Sequence, residues 1–247
     1  MRIGLFIPCY IDAFHPEIGI ATLELLERLG LDVTYPPDQT CCGQPMTNSG
    51  FHRESAAAES LFLRNFTGFD YVVAPSGSCV QQVREHMTAI PQTEALRDLR
   101  SRTFELVEFL HDVLEVREFP WAEFPHKVGY HYSCNTLRNL GHARPSELNL
   151  PDFSKPLDLL RGVRGIEVVT PARHDECCGF GGTFAVTEPD VSVRMGQDKV
   201  RNHSQAGAEY IVSADSSCLL HQQGCAERMG LPVKFIHIAQ ILNGDMA

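Results

Sequence analysis

The chain has 247 residues, which is enough for one large domain or for two domains of roughly 100–150 residues each. Hydrophobic residues make up 43% and charged residues 21%, the balance of a globular protein rather than a disordered one. The formal net charge is −10, so neither nucleic acid nor an anionic membrane surface is an expected partner. No apolar stretch approaches the roughly 20 residues of a membrane span, and the N-terminus lacks the pattern of an export signal, so we expect a cytoplasmic protein.

Short apolar runs alternate with amphipathic runs along both halves of the chain. The apolar runs predict buried strands at 3–8, 33–36, 71–74, 128–132, 166–170, 210–213 and 233–235. The spacing of the amphipathic runs predicts helices at 18–29, 54–66, 104–114, 190–206, 218–229 and 236–243. The expected fold class is therefore α/β, with two tandem, similar Rossmann-like domains, each a mainly parallel sheet with helices on both faces. Two prolines bracket a short connection at 120–125, which predicts domains at 1–120 and 121–247.

Cysteine is unusually frequent, with nine residues. Because the cytosol keeps thiols reduced, nine cysteines there favour metal or redox chemistry over structural disulfides. The segments Asp70–Cys79 and Glu209–Cys218 align without a gap at an offset of 139 residues, and Cys41-Cys42-Gly43 corresponds to Cys177-Cys178-Gly179. Each half thus has the order Cys, Cys-Cys-Gly, Cys. Eight cysteines fall into this repeated pattern: Cys9, Cys41, Cys42, Cys79, Cys134, Cys177, Cys178 and Cys218.

The first and the last cysteine of each half directly follow predicted strands. In an open α/β sheet, functional sites form at the carboxyl edge of the strands, so we expect the cysteines to converge there. Cys79 and Cys218 also open predicted helices. The free N–H groups and the dipole of a helix N-terminus lower the pKa of a thiol, which favours the thiolate that binds metals.

The adjacent cysteine pair favours an iron–sulfur cluster over a single zinc ion. Zinc sites usually take ligand pairs that are two to four residues apart. Adjacent cysteines diverge, and they can bind different irons of a larger cluster. The glycine after each pair lets the backbone approach closely, where an N–H can donate to sulfur. Zinc binding and a thiol-exchange role remain the alternatives.

At these residues the sequence resembles the CCG (cysteine-rich) domain family, which occurs in heterodisulfide reductases and in iron–sulfur subunits that oxidise glycolate and glycerol 3-phosphate. Two copies without a ferredoxin-type cysteine run are most similar to the lactate utilization protein A family. The resemblance implies an iron–sulfur electron-transfer subunit of a cytosolic oxidoreductase system that converts L-lactate to pyruvate. It also implies two clusters of the 4Fe-4S type, cubane or non-cubane, bound by the eight cysteines. The implied partners are a separate ferredoxin-type iron–sulfur protein and a third protein.

The chain departs from the heterodisulfide reductase pattern at one position in each half. Those relatives have a fifth cysteine three residues after the last one, where this chain has Gln82 and His221. Both side chains lie one helical turn from the last cysteine. His221 is therefore a candidate metal ligand, and an ordinary hydrogen-bonded histidine is the alternative. Cys225 has no counterpart in the first half, and we interpret it as a core residue.

Three further residues lie near the cysteines in the sequence: His131, Arg138 and His174. Each could bind a substrate carboxylate or tune a cluster potential, and ordinary hydrogen bonding is the alternative. The glycine-rich segment 179–183 lacks the strand–GxGxxG–helix context of a nucleotide loop. We expect this segment to shape the loop after Cys178.

The sequence identifies no catalytic residue, and two other functions stay open. One is a CCG-type thiol–disulfide reductase subunit, in which the missing fifth cysteine leaves an open iron for a substrate sulfur. The other is a non-catalytic metal-binding scaffold. Nothing in the sequence resembles a flavin or nicotinamide site, so a two-electron step on lactate would need a partner or an unusual substrate-binding cluster.

Overall fold

In the computed structural model, residues 1–245 are described, and they contain two four-stranded sheets whose neighbouring strands are all parallel. The first sheet has the order β2-β1-β3-β4, from β1 (Arg2–Leu5), β2 (Asp32–Thr34), β3 (Tyr71–Ala74) and β4 (Thr103–Glu105). The second sheet has the matching order β6-β5-β7-β8, from β5 (Lys127–Tyr130), β6 (Glu167–Val169), β7 (Tyr210–Ser213) and β8 (Lys234–His237). We call the regions around these sheets the first unit and the second unit. The prediction of two similar α/β units in tandem is confirmed.

Helices connect the strands, as parallel pairing requires. In the first unit these are α1 (Cys9–Phe14), α2 (Pro16–Arg28), α3 (Gln44–Asn48), α4 (Ala56–Phe66), α5 (Gly77–Gln81), α6 (Glu94–Ser101) and α7 (Leu106–Glu108). In the second unit they are α8 (Lys155–Leu160), α9 (Phe184–Thr187), α10 (Pro189–Gln205), α11 (Ser216–Met229) and α12 (Ile238–Asn243). Short π-helical segments are Gln82–His86, Phe109–Val113 and Asn135–Asn139, and 3₁₀ turns are Arg53–Ser55 and Ser146–Leu148. Within residues 1–245, no helix combines the length and the apolar character that crossing a bilayer requires.

The predicted helix at 104–114 is wrong at its beginning. Thr103–Glu105 instead forms β4, which pairs in parallel with β3. Glu105 is fully buried, and its carboxylate accepts a hydrogen bond from the Val107 amide at 2.7 Å, so it caps α7. A buried acidic residue conceals the apolar signal of a strand, which explains why the pattern favoured a helix. Helix α6, just before this strand, was not predicted.

One hydrophobic core runs through both units. It joins Leu5 and Val73 of the first sheet to Val128 and Val212 of the second. The last helix, α12, crosses back and packs against α2 of the first unit. There the Trp121 indole N–H donates to a backbone carbonyl of α12 at 2.9 Å. The boundary at 120/121 therefore stays a prediction, since the residues around it belong to this shared core.

A buried carboxylate also connects the two units, at the carboxyl ends of their strands. Asp215 precedes α11 and is 1% exposed. It accepts hydrogen bonds from the Ser78 hydroxyl at 3.0 Å, the Ser78 amide at 3.1 Å and the Ser76 hydroxyl at 3.0 Å. The Ser133 hydroxyl donates to its other oxygen. Burial raises the pKa of Asp215, although these hydrogen bonds act in the opposite direction.

Replacing this carboxylate should destabilise the fold in a graded way. Asp215→Ala leaves several buried donors without an acceptor, so we expect it to lower the free energy of unfolding by about 3 kcal/mol. Asp215→Asn retains one acceptor oxygen and should cost less. Urea unfolding measures both changes. Asp38→Ala is the control, because Asp38 forms only an exposed ion pair with Arg64 at 3.5 Å. Equal stability of Asp215→Ala and Asp38→Ala would contradict the assigned role.

Candidate metal centres

The four cysteines of the first unit converge at the carboxyl end of the first sheet. Cys9 begins α1 shortly after β1, and Cys79 lies in the first turn of α5 after β3. Cys41 and Cys42 lie in the loop between β2 and α3. Side-chain hydrogen bonds connect Cys9 to Cys41, Cys41 to Cys42, and Cys42 to Cys79. We call these four residues the first thiol set.

The second unit repeats this arrangement. Cys134 follows β5, and Cys218 lies in the first turn of α11 after β7. Cys177 and Cys178 lie in the loop between β6 and α9, and the side-chain hydrogen bonds run from Cys134 through this pair to Cys218. We call these residues the second thiol set. The eight predicted site cysteines thus lie together in two sets, and their role as ligands stays a prediction.

The central thiol of the first set has thiolate character. Hydrogen bonds from Cys42 and Cys9 lower the pKa of Cys41 to about 3. The backbone N–H of Gly43 also points at this sulfur, with the nitrogen 3.4 Å from Sγ. The hydrogen bond to Cys41 raises the pKa of Cys9 in turn. One anionic sulfur therefore shares the protons of its neighbours, which is how a dense set of thiols avoids repulsion between like charges.

The second set has the same electrostatic pattern. Hydrogen bonds from Cys134 and Cys178 lower the pKa of Cys177, and the Gly179 nitrogen lies 3.3 Å from its Sγ. Gly179 has φ +89°, and a Cβ there would lie 2.6 Å from the Ser192 carbonyl oxygen. Glycine is therefore needed both for the left-handed backbone and for the close approach of the chain to sulfur. Gly43 in the first unit also has φ +89°.

The donor set and the space around it fit a sulfur-ligated cluster. Clustered thiolates select soft metals, among them zinc, copper(I) and iron–sulfur clusters. All four residues of the first set line a cavity of about 220 Å³. That volume is many times what one bound water needs. It therefore suits a group of several atoms better than a single ion.

The glycine-rich segment of the second unit covers the first thiol set. Phe180, Thr183 and Val186 line the cavity beside the first-unit cysteines. The Phe180 ring packs edge-on against Tyr10 of α1, with 5.8 Å between ring centroids. Gly182 contributes to the same wall and has φ +63°. The sequence did not indicate this role, because the two parts are far apart along the chain and no local pattern links them.

The remaining predicted ligand candidates have other partners. Gln82 is fully buried and donates to a threonine hydroxyl of α3 at 2.9 Å. His221 Nε2 lies 3.2 Å from the Ser192 carbonyl oxygen, which is the hydrogen-bonded alternative for this residue. Cys225 is buried in an apolar cluster with its Sγ 3.9 Å from the Val193 carbonyl oxygen, and burial raises its pKa. The geometry of Cys225 agrees with its interpretation as a core residue.

Arg138 and His174 also make ordinary contacts. Arg138 forms an ion pair with Glu147 at 3.0 Å and donates to the Asp175 carbonyl oxygen at 3.3 Å. The His174 ring lies against Tyr132, with 6.2 Å between ring centroids. These contacts are typical of a surface loop, and they hold the chain just before the second cysteine pair.

His131 is the predicted residue that lies closest to the sulfurs. It is fully buried, and one of its ring nitrogens lies within 4.8 Å of the sulfurs of both Cys178 and Cys218. Burial, followed by the charge of Lys199, lowers its pKa well below the usual range, so the imidazole is neutral. The sequence places His131 near the first cysteine of its set, whereas the structure places it against the other end of that set.

Comparisons with known proteins agree with this arrangement. A protein named lactate utilization protein A from Exiguobacterium sp. is 43% identical, over 98% of this chain and 97% of its own length. A protein of the same name from Geobacillus kaustophilus is 41% identical, over 98% of this chain and 99% of its own length. A solved hypothetical protein from Helicobacter pylori shares the fold, with a TM-score of 0.59 at 9% identity, covering 100% of this chain and 49% of that one.

The sequence profile of the CCG family, described as a cysteine-rich domain, matches residues 3–84 and 128–223. The two matched ranges contain both thiol sets and leave out Cys225. The resemblance found in the sequence is therefore confirmed, and this chain belongs to the CCG cysteine-rich domain family.

Proposed function

We propose that the chain is an iron–sulfur electron-transfer subunit of a cytoplasmic system that oxidises L-lactate to pyruvate. The observation that carries the proposal is the pair of hydrogen-bonded thiol sets at equivalent strand ends. Its substrate class comes from relatives of nearly the same length that are named lactate utilization protein A. The proposed partners are a ferredoxin-type iron–sulfur protein and a third protein, which would contribute to the two-electron step.

Each thiol set would hold one centre. The first would be bound by Cys9, Cys41, Cys42 and Cys79, and the second by Cys134, Cys177, Cys178 and Cys218. A bound cluster of the 4Fe-4S type supplies one-electron transfer, at a potential that depends on its surroundings. The role proposed for each chain segment follows from its contacts with these sulfurs.

The backbone and the cover of each set would control the potential. The N–H groups of Gly43 and Gly179 donate to the sulfurs of Cys41 and Cys177. Such N–H···S hydrogen bonds stabilise the more negative, reduced state and raise the reduction potential. Phe180 shields the first set from solvent on one side. A drier environment has the opposite effect on a charged centre, so the balance of the two sets the potential.

A second candidate function is a thiol–disulfide reductase subunit, and the cavity beside the first thiol set favours it. The cavity is lined by uncharged groups, among them Tyr10, Gln44 and Ser217, together with the cysteines. A small sulfur-containing substrate could therefore approach a metal centre there. Turnover of a disulfide by the reduced, isolated protein would favour this function, whereas activity that requires lactate and the partner proteins would favour the first proposal.

Metal analysis after anaerobic reconstitution tests the centres themselves. We expect about four irons and four sulfides in each unit, in a brown protein. Cys178→Ser should lower the iron content by about half, because it removes a ligand from one of the two sets. Cys225→Ser is the matched control and should retain the full content, since Cys225 lies in the core. A colourless protein that binds only zinc would contradict the proposal.

Growth on L-lactate tests the substrate. In a deletion strain that carries the gene for each variant, Cys42→Ser and Cys178→Ser should each abolish growth on L-lactate, because each disrupts one thiol set. Growth on pyruvate should be unaffected. Cys225→Ser should support growth on both carbon sources. Normal growth of the Cys42 and Cys178 variants on lactate, together with a less stable fold, would instead indicate a metal-binding scaffold.

A further inference from the structure

Three positions behind the thiol sets are equivalent in the two units but carry different chemistry. Phe6 and His131 each lie three residues before the first cysteine of their set. The Phe6 amide donates to a carbonyl of β3 at 2.9 Å, and the His131 amide donates to the corresponding strand β7 at 2.7 Å. The other equivalent positions lie on the helix that follows each Cys-Cys-Gly loop: Phe62 with Lys199, and Phe66 with His203.

Close backbone contacts support this equivalence. A Cβ on Gly4 of β1 would lie 2.8 Å from the Phe66 ring, and a Cβ on Gly129 of β5 would overlap with His203 Nδ1. Each ring therefore packs against a glycine at the same point of its central strand. The three positions form one structural layer behind each thiol set, which we call the backing layer.

In the first unit the backing layer is wholly aromatic. The centroids of Phe6 and Phe62 are 5.1 Å apart, those of Phe6 and Phe66 are 5.7 Å apart, and those of Phe62 and Phe66 are 4.6 Å apart. These rings are buried and offer no metal ligand. The first thiol set can therefore receive only sulfur from this side.

In the second unit the backing layer is basic and equally buried. His131 and His203 are 0% exposed, and Lys199 is 1% exposed. The Lys199 ammonium donates to the carbonyl oxygens of Arg173 and His174 at 2.9 and 2.8 Å, so it holds the loop that leads to the cysteine pair. Its hydrogen bonds thus account for the burial of this charge.

His131 has no such account within residues 1–245. Neither of its ring nitrogens has a hydrogen-bond partner, although the ring is fully buried. A buried polar group without a partner is costly, so such a nitrogen indicates a ligand. One ring nitrogen of His131 and the sulfurs of Cys178 and Cys218 all lie within 4.8 Å of one another. The nitrogen and the two sulfurs are thus close enough to bind one metal atom together.

We propose that His131 is a metal ligand of the second centre, beside Cys178 and Cys218. The second unit then offers a mixed imidazole and thiolate set, whereas the first unit offers thiolates alone. This inference rests on the proposed metal centre in the second unit. A neutral imidazole adds no negative charge, and nitrogen ligation raises the potential of a cluster relative to thiolate ligation. The second centre should therefore have the higher reduction potential of the two.

Pulsed EPR of the reconstituted, reduced full chain tests this ligand directly. Protein labelled with ¹⁵N only in histidine should show a strongly coupled histidine nitrogen. His131→Phe, which introduces the residue type found in the first unit, should abolish the coupling and lower the potential of the second centre. His203→Phe is the matched control, because it replaces a neighbouring buried histidine that is not grouped with the two sulfurs. It should retain the coupling.

The possible results separate this inference from the proposed function. A protein that binds no iron would contradict the proposed function. Full iron content in wild-type protein without any coupled histidine nitrogen would overturn the inference about His131 alone, whatever the stability of the variants.

A cobalt(II) titration of the metal-free protein gives a second readout, which does not require a cluster. The ligand-field bands of the cobalt complex should shift in His131→Phe and stay unchanged in His203→Phe. Identical cobalt spectra for the wild type and His131→Phe would overturn the inference as well.

Discussion

The close packing of four thiols at the end of a parallel sheet is the constraint on which each unit depends. Parallel strands bring their carboxyl ends to one edge, so Cys9 and Cys79 meet there although 70 residues separate them in the sequence. Thiols this close cannot all ionise without a cation, and the hydrogen bonds that converge on Cys41 leave one anionic sulfur among protonated neighbours. The left-handed glycine after each cysteine pair serves the same arrangement, because it directs an N–H at that sulfur.

The two units share this geometry but differ in what surrounds it. Aromatic rings lie behind the first thiol set, and a segment of the second unit covers its open side. Two histidines and a lysine lie behind the second set. Since surroundings tune a bound metal as strongly as its ligands do, the two sites would not be interchangeable. Equivalent ligands on a repeated fold can thus serve different steps of electron transfer.

Much of this organisation could be predicted from the sequence. The repeated cysteine pattern and the strand–helix alternation indicated the two sheets and the convergence of the thiols, because both signals are local and periodic. Strand β4 was missed, since its buried Glu105 has the composition of a helix or a turn. The cover by Phe180 and the position of His131 against Cys178 depend on contacts between distant segments. Such contacts leave no periodic trace, and they form only when the chain is folded.

The junction at Asp215 has a consequence for how such a molecule can be built. Asp215 and Ser76 occupy the same position of the repeat, 139 residues apart, and they contact each other across the junction at 3.0 Å. In a homodimer of one ancestral unit, both positions would carry the same residue. Two facing carboxylates, buried this closely, could not both be ionised, and two serines would lack the shared anion. Joining both copies in one polypeptide allows each position to differ, so the hydroxyl-to-carboxylate pairing is a chemical signature of gene fusion.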